Sequence, residues 1–316
     1  METAFTSASA TMETKPENLF TALPRSRPFA SLALAVAMWA AFAGYAEATP
    51  DAARYENPGP HRVEVLPGAL CCDRKGKEID LYLPVANADG RQAPVVVWGN
   101  GSWASPEKYD FLLRHLASWG MAVVATRDDA AARGETMLDA LALLEDEGAP
   151  VPVDFDRVAA AGHSQGAGGA ANAAIAAGRV DTVVAIDLPA REHCSPGDCD
   201  DIPSGLSGTP VLFLSGDRDP LSPPDVVDAY YRAVPEGLLK AKGMVVDADH
   251  NDIQGQPECG FLAIGCRNGV EGFLPYVTAW LVWQLQIDPA AGHVFVGPEA
   301  GFLADPRLSG ADVRRP

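Results

Sequence analysis

The sequence predicts an α/β architecture: a mostly parallel central sheet with helices on both faces. Three observations lead there. Short continuous apolar runs, such as Pro94-Val95-Val96-Val97-Trp98 and Thr182-Val183-Val184-Ala185-Ile186, have the composition of strands buried on both faces. Segments of helical periodicity separate these runs almost throughout, the alternation that builds a parallel sheet from strand–helix–strand units. No internal repeat and no linker divides the chain, whose 316 residues, 47% hydrophobic and 21% charged, suffice for one large domain.

The elements follow in order. A lead-in rich in Pro and Gly precedes Ile79-Asp80-Leu81-Tyr82-Leu83, an alternating strand, and the apolar run at 94–98 is the next. Over residues 106–119, Phe111, Leu112, Leu113 and Leu116 fall on one side of a helix. Residues 121–125 read as a buried strand, 137–144 as a helix and 156–161 as a short strand. The small residues of 167–175 suit a helix that packs close to its strand. A strand at 182–186, a strand at 211–214, a helix around 226–234, a strand at 244–246 and a final helix at 270–287 complete the alternation. The excursion over 188–209 shows no helical pattern, so no large lid is expected, and the site should be fairly open. The tail from about residue 288 is a short extension with one candidate strand at 293–296.

Residues 1–48 read as a signal peptide. Arg25, Arg27 and Pro28 precede an apolar run over 29–43, and Ala46-Glu47-Ala48 offers a small-x-small cleavage site. The apolar run is shorter than the roughly 20 residues of a comfortable membrane span. The mature chain is then one domain over 49–316, secreted or periplasmic. All six cysteines follow the signal, as an oxidising compartment favours. Cys194–Cys199 and Cys259–Cys266 are candidate short staples, each worth about 2 kcal/mol on the loop-entropy argument. Adjacent Cys71 and Cys72 leave a vicinal bridge and two free thiols both open. No Cys-x-x-Cys pair or histidine cluster points to zinc, so no metal is expected. A net charge of −18, scattered along the chain, argues against nucleic acid and anionic membranes as partners.

The chemistry gathers at strand ends, where open α/β sheets bind ligands. Gly162-His163-Ser164-Gln165-Gly166 lies between a strand pattern and a helix pattern, the setting that lifts a serine hydroxyl onto a sharp turn. Gly216-Asp217-Arg218-Asp219-Pro220 follows the 211–214 strand, and Asp249-His250 follows the next. Serine, acid and histidine therefore occur in the chain order this architecture expects, and a serine needs a base and an acid to orient that base. With Trp98-Gly99-Asn100-Gly101-Ser102, these segments resemble the α/β-hydrolase family, and within it the exported cutinase-like polyester hydrolases and small serine esterases. The resemblance covers roughly residues 95–285. It implies an α/β-hydrolase fold with Ser164 as nucleophile, Asp219 as acid and His250 as base, acting on small or polymeric esters without a cofactor. The spacing from Asp219 to Pro223 matches the family's acid loop, which leaves Asp217 structural or paired with Arg218.

An oxyanion hole would use the backbone N–H of Gln165, with that of Ser102 or Trp103 as second donor. The sequence departs from the family here, because Gly-Asn-Gly-Ser replaces the usual His-Gly or Pro-Gly-aromatic. Trp103 then becomes a candidate substrate clamp, and Asp187, at another strand end, a candidate substrate contact. His115 reads as a surface residue, and His163 as one that packs or orients. His193, Asp198, Asp200 and Asp201 form an acidic loop read as solvated charge. An acyltransferase or peptidase using the same three residues, or a non-catalytic binding protein on the same fold, are the competing expectations.

Overall fold

The computed structural model describes residues 52–85, 90–199, 202–260, 264–297 and 300–316; the expected signal peptide lies outside them, as do Asp200 and Asp201. The strands are β1 (Val63–Leu70), β2 (Ile79–Pro84), β3 (Ala93–Gly99), β4 (Ala122–Thr126), β5 (Val153–His163), β6 (Thr182–Ile186), β7 (Val211–Gly216), β8 (Lys240–Val245) and β9 (Leu308–Arg314). They form one sheet in the order β1-β2-β4-β3-β5-β6-β7-β8-β9. The strands from β4 to β8 in that order pair parallel, while β1, β2 and β9 add antiparallel at the edges. The predicted α/β class with a mostly parallel sheet is what the chain adopts.

The helices are α1 (Asp110–Ser118), α2 (Glu135–Glu147), α3 (Gln165–Ala177), α4 (Pro224–Ala233), α5 (Leu274–Gln286), α6 (Pro289–His293) and α7 (Gly301–Ala304). Alternation along the strands divides them between two cores. In β3, Val96 and Trp98 enter the core shared with α1 and α5, and Val95 and Val97 enter the one shared with α2, α3 and α4. Both faces of the central strands are thus dry, which explains their unbroken apolar composition.

The topology positions the site. β4 lies on one side of β3 and β5 on the other, so sheet growth reverses at β3. Loops leaving the carboxyl ends of β3 and β5 diverge there, the place where such sheets bind ligands. Ser102 and Ser164 sit on those two loops. Between β6 and β7 the described residues carry a single 3-10 helix, Arg191–His193.

The tail differs from expectation. Residues 293–296, read as a strand, instead close α6 and turn. Phe295 packs edge-on against Trp280 at 5.1 Å and stacks on Trp283 at 5.9 Å, so burial against α5 overrides local strand preference. The strand of the tail is β9, which pairs with β8. α5 is apolar almost all round, and the tail covers it with Ala291, Phe295 and Phe302. His115 is also a correction. It is buried rather than on the surface, its ring Nε2 donates to the Tyr55 carbonyl at 2.9 Å, and burial lowers its pKa.

Both expected disulfides form, Cys194–Cys199 with Cα atoms 6.1 Å apart and Cys259–Cys266 with 5.6 Å. Cys71 and Cys72 are bonded to each other. No helix among the described residues is long and apolar enough to cross a membrane.

Candidate active site

β5 ends at His163 and α3 begins at Gln165, so Ser164 alone turns the chain from strand to helix. Its φ of 55° and ψ of −126° lie where L-residues are rare, at a cost of about 1–3 kcal/mol. Two backbone hydrogen bonds hold it: Ser164 N–H donates to the Ile186 carbonyl at 2.9 Å, and Ala167 N–H donates to the Ser164 carbonyl at 2.9 Å. The flanking glycines allow the close approach. A Cβ on Gly162 would lie 2.2 Å from the Gly166 carbonyl oxygen, and one on Gly166 would lie 2.2 Å from that of Gly99. The first turn of α3 therefore rests directly on the end of β3.

The loops after β7 and β8 bring in the other two groups. His250 Nδ1 donates to Asp219 Oδ2 at 2.7 Å, and the Ser164 hydroxyl meets His250 Nε2 at 3.0 Å. Burial alone would raise the Asp219 pKa. The bond from His250, that ring's charge and the N–H groups of Leu221 and Ser222 outweigh it and hold the carboxyl below the ordinary aspartate value. An ionised Asp219 accepts from Nδ1–H, which leaves Nε2 free to accept from the serine. Asp217 takes a structural place, its Oδ1 accepting from Asp247 N–H at 2.8 Å. Arg218 pairs with Asp247 rather than with Asp217.

The loop after β3 comes beside the serine. Gln165 opens α3, so its N–H has no acceptor within the helix and lies at the positive end of the helix dipole. Trp103 N–H donates to the Asp129 carbonyl at 3.2 Å, and the Gln165 side chain donates to the same oxygen at 2.6 Å. Ser102 N–H makes no hydrogen bond to any described residue. Of the two candidate second donors, the amide of Ser102 is therefore the one left available. Buried Asn100 fixes this loop, its Nδ2 donating to the carbonyls of Thr126 at 2.6 Å and Asp128 at 3.1 Å. Trp103 is 91% exposed and holds a φ of 59°. Near Gln165, a surface groove of about 420 Å³ is lined by Lys75, Arg133, Thr136, Ser195 and Asp198 among others.

Asp187, the candidate substrate contact, is set away from the surface. It ends β6 as expected, but its side chain turns inward and is fully buried. Its Oδ1 accepts from the Ser215 hydroxyl at 3.0 Å and from Gly216 N–H at 2.9 Å. Burial, and then the negative charge of Asp219, raises its pKa well above the usual carboxylate value. Asp198, in the acidic loop, pairs with Arg133 at 3.1 Å. Asp252 lies near Cys259 and Cys266, but the disulfide between those two leaves no thiolate for a metal.

Three contributors carried no signal in the sequence: Tyr109, the Asp129 carbonyl and Asp252. Asp252 braces the loop of His250, because its Oδ1 accepts from Asn268 N–H at 3.0 Å while Asn251 N–H donates to the Gly265 carbonyl at 2.6 Å. The Cys259–Cys266 loop is thereby tied to the histidine.

His163 is buried beneath the site, and burial followed by the charge of His250 pushes its pKa down to about 3. Its unfolded value is 6.5, so between these values the unfolded chain binds a proton that the folded chain refuses. Stability from this group is complete above about pH 6.5 and is lost as the pH falls toward 3. Urea unfolding of the wild type at pH 7, 5 and 4 should show this slope, and His163→Gln should flatten it. Equal slopes in both chains would contradict the assignment.

No protein-family model matches the chain, and no curated protein sequence matches it.

Proposed function

We propose that the chain is a serine hydrolase of carboxylic esters, built on an α/β-hydrolase fold and similar in kind to exported cutinase-like esterases. The observation that carries this reading is the unbroken series from the strained Ser164, through His250, to an ionised and buried Asp219. His250 takes the Ser164 proton as Oγ attacks the ester carbonyl carbon. The charge arriving on the carbonyl oxygen falls to the N–H groups of Gln165 and Ser102, each typically worth about 3 kcal/mol of transition-state stabilisation. His250 then gives the proton to the departing alkoxide, which leaves as the alcohol. A water deprotonated by His250 releases the acid and restores the serine.

Three disulfides agree with folding in an oxidising compartment outside the cytoplasm. Among its described residues the connection between β6 and β7 holds one short 3-10 helix and no longer helix, which supports a site without a helical lid.

The reading is tested by treating the purified mature chain with a fluorophosphonate and hydrolysing p-nitrophenyl esters from acetate to long acyl chains. One covalent adduct on Ser164, blocked by prior ester, is the expected result. A chain that takes no adduct and turns over no ester would refute it.

Trp103 supports an apolar or aromatic contact with the substrate, since it remains in a left-handed conformation with almost no packing in return. An aromatic contact of this kind is worth about 0.5–1.5 kcal/mol. Trp103→Ala should therefore raise KM for aromatic esters about two- to tenfold with kcat nearly unchanged. An unchanged KM across the ester series would remove Trp103 from the binding surface.

A further inference from the structure

Beneath the site runs a chain of hydrogen bonds that the proposed chemistry does not itself use. Gly101 N–H donates to Tyr109 Oη at 2.9 Å, and Tyr109 Oη meets His163 Nδ1 at 2.9 Å. His163 Nε2 meets the His250 backbone carbonyl at 2.8 Å. Tyr109 and His163 are both buried, at 0% and 1% exposure, so water does not compete for these bonds.

The chemistry of each group fixes the direction of every link. The His250 carbonyl can only accept, so His163 Nε2 carries the hydrogen. His163 is neutral, so its Nδ1 accepts, and the Tyr109 hydroxyl donates to it. The phenol oxygen still has lone pairs for Gly101 N–H. Gln254, on the loop after His250, also approaches this oxygen. His163 Nε2 lies 3.8 Å from Asp187 Oδ2, beyond hydrogen-bond distance, which leaves the His250 carbonyl as its partner.

The two ends of the chain decide its meaning. One is the amide next to Ser102, on the loop that supplies the second oxyanion donor. The other is the backbone of His250. The ring between them belongs to the residue preceding Ser164. Space is also reserved for it, because a Cβ on Gly101 would lie 2.8 Å from His163 Nδ1 and 3.0 Å from Tyr109 Oη. The His163 ring lies against that of His250, centroids 4.8 Å apart, and Tyr109 is seated on Trp98 at 5.0 Å.

We propose that Tyr109 and His163 are positioning residues that lock the loop of Ser102 to the loop of His250, holding the oxyanion donors and the base in one register about Ser164. The role rests on the serine-hydrolase reading above. Donors aimed at developing charge act only when fixed within about 0.5 Å of their place. A dry chain of three bonds joining two loops and the strand between them supplies that fixity.

Tyr109→Phe keeps the ring and its packing and removes two of the three links. With kcat counted per fluorophosphonate-titrated Ser164, so that lost folding does not register, the expected fall is tenfold or more, with KM within about twofold of wild type. Affinity for an alkyl boronic acid, which forms a tetrahedral adduct on serine, should fall with kcat/KM. His163→Gln, which can still reach the His250 carbonyl, breaks the same chain. The double variant should therefore lose no more than the worse single, whereas independent packing defects would multiply. A Tyr109→Phe chain with kcat per titrated site within twofold of wild type overturns the proposal.

A readout free of substitution uses 15N NMR of the imidazole-labelled wild type at neutral pH. A neutral His163 with hydrogen on Nε2 is expected, and hydrogen on Nδ1 overturns the chain as drawn. A wild type whose Ser164 takes no fluorophosphonate would instead sink the hydrolase reading, and this role with it, even where the tautomer is as drawn.

Discussion

On the serine-hydrolase reading, hydrolysis of p-nitrophenyl esters by the Ser164→Ala chain should fall at least about 10⁴-fold, with melting behaviour close to that of the wild type. The size of the loss follows from what the hydroxyl does. It is the atom that would bond to the substrate, and it lies 3.0 Å from His250 Nε2, the ring nitrogen positioned to take its proton. Removing it leaves His250 able to activate only an unpositioned water, while the backbone amides of Gln165 and Ser102 still polarise the carbonyl. Residual activity should then reflect the amides together with that unpositioned water. Stability is preserved because alanine keeps the Cβ and meets the same strain at φ 55°. A loss smaller than tenfold would show that another group attacks, and would remove Ser164 from the chemistry.

Gly166→Ala is the largest expected effect on folding. The new methyl would lie 2.2 Å from the Gly99 carbonyl oxygen, 2.4 Å from its carbon and 2.5 Å from the Asn100 carbonyl oxygen. All three are backbone atoms, so no side-chain rotation relieves the clash. α3 must withdraw from the end of β3, across a core where the two elements now touch. Overpacking usually costs about 1–3 kcal/mol, and with backbone on every side a value at or above about 3 kcal/mol is expected. The shift also moves the Ser102 loop away from Ser164, so whatever folds should hydrolyse esters poorly. Gly260→Ala serves as the control, because no described residue lies within 4 Å of its added methyl. It should stay within about 0.5 kcal/mol of wild type. Urea midpoints for the two variants decide the matter, and equal midpoints would mean that α3 does not rest on β3 as described.

The central strands were legible because burial on both faces demands unbroken apolar sequence. Val95 to Trp98 and Val183 to Ile186 announce themselves for that reason. The edge strands had no such demand on them. β1 is half-exposed, contains Pro67 and Gly68 and bulges against β2, while β9 reads Leu-Ser-Gly-Ala-Asp-Val-Arg. Neither has a composition that separates it from loop, and the ladder with its neighbour is what makes each a strand. Residues 293–296 failed in the opposite sense, since their side chains suit a strand but bury better on α5.

The site divides in a similar way. Ser164, Asp219 and His250 stand at strand ends, and the order of strands already brings them to one side of the sheet. Asp187 shares that position, yet a strand end does not say whether the side chain points outward or in. Tyr109 and His163 lie 54 residues apart in sequence, and His163 and His250 lie 87 apart. No local pattern could join them, because only the assembled fold brings their atoms together.

The irregular outer strands have a consequence for how the molecule meets its own copies. A sheet normally ends in a row of unpaired amides and carbonyls that invites another chain to continue it. Here one border carries Glu64, a proline and a bulge, and the other carries Gly310, Asp312 and Arg314 with a shift of register. Both borders are charged and interrupted, which denies a neighbour the regular template that edge-to-edge aggregation requires. Borders of this kind are what limits edge-to-edge pairing between copies of a sheet protein.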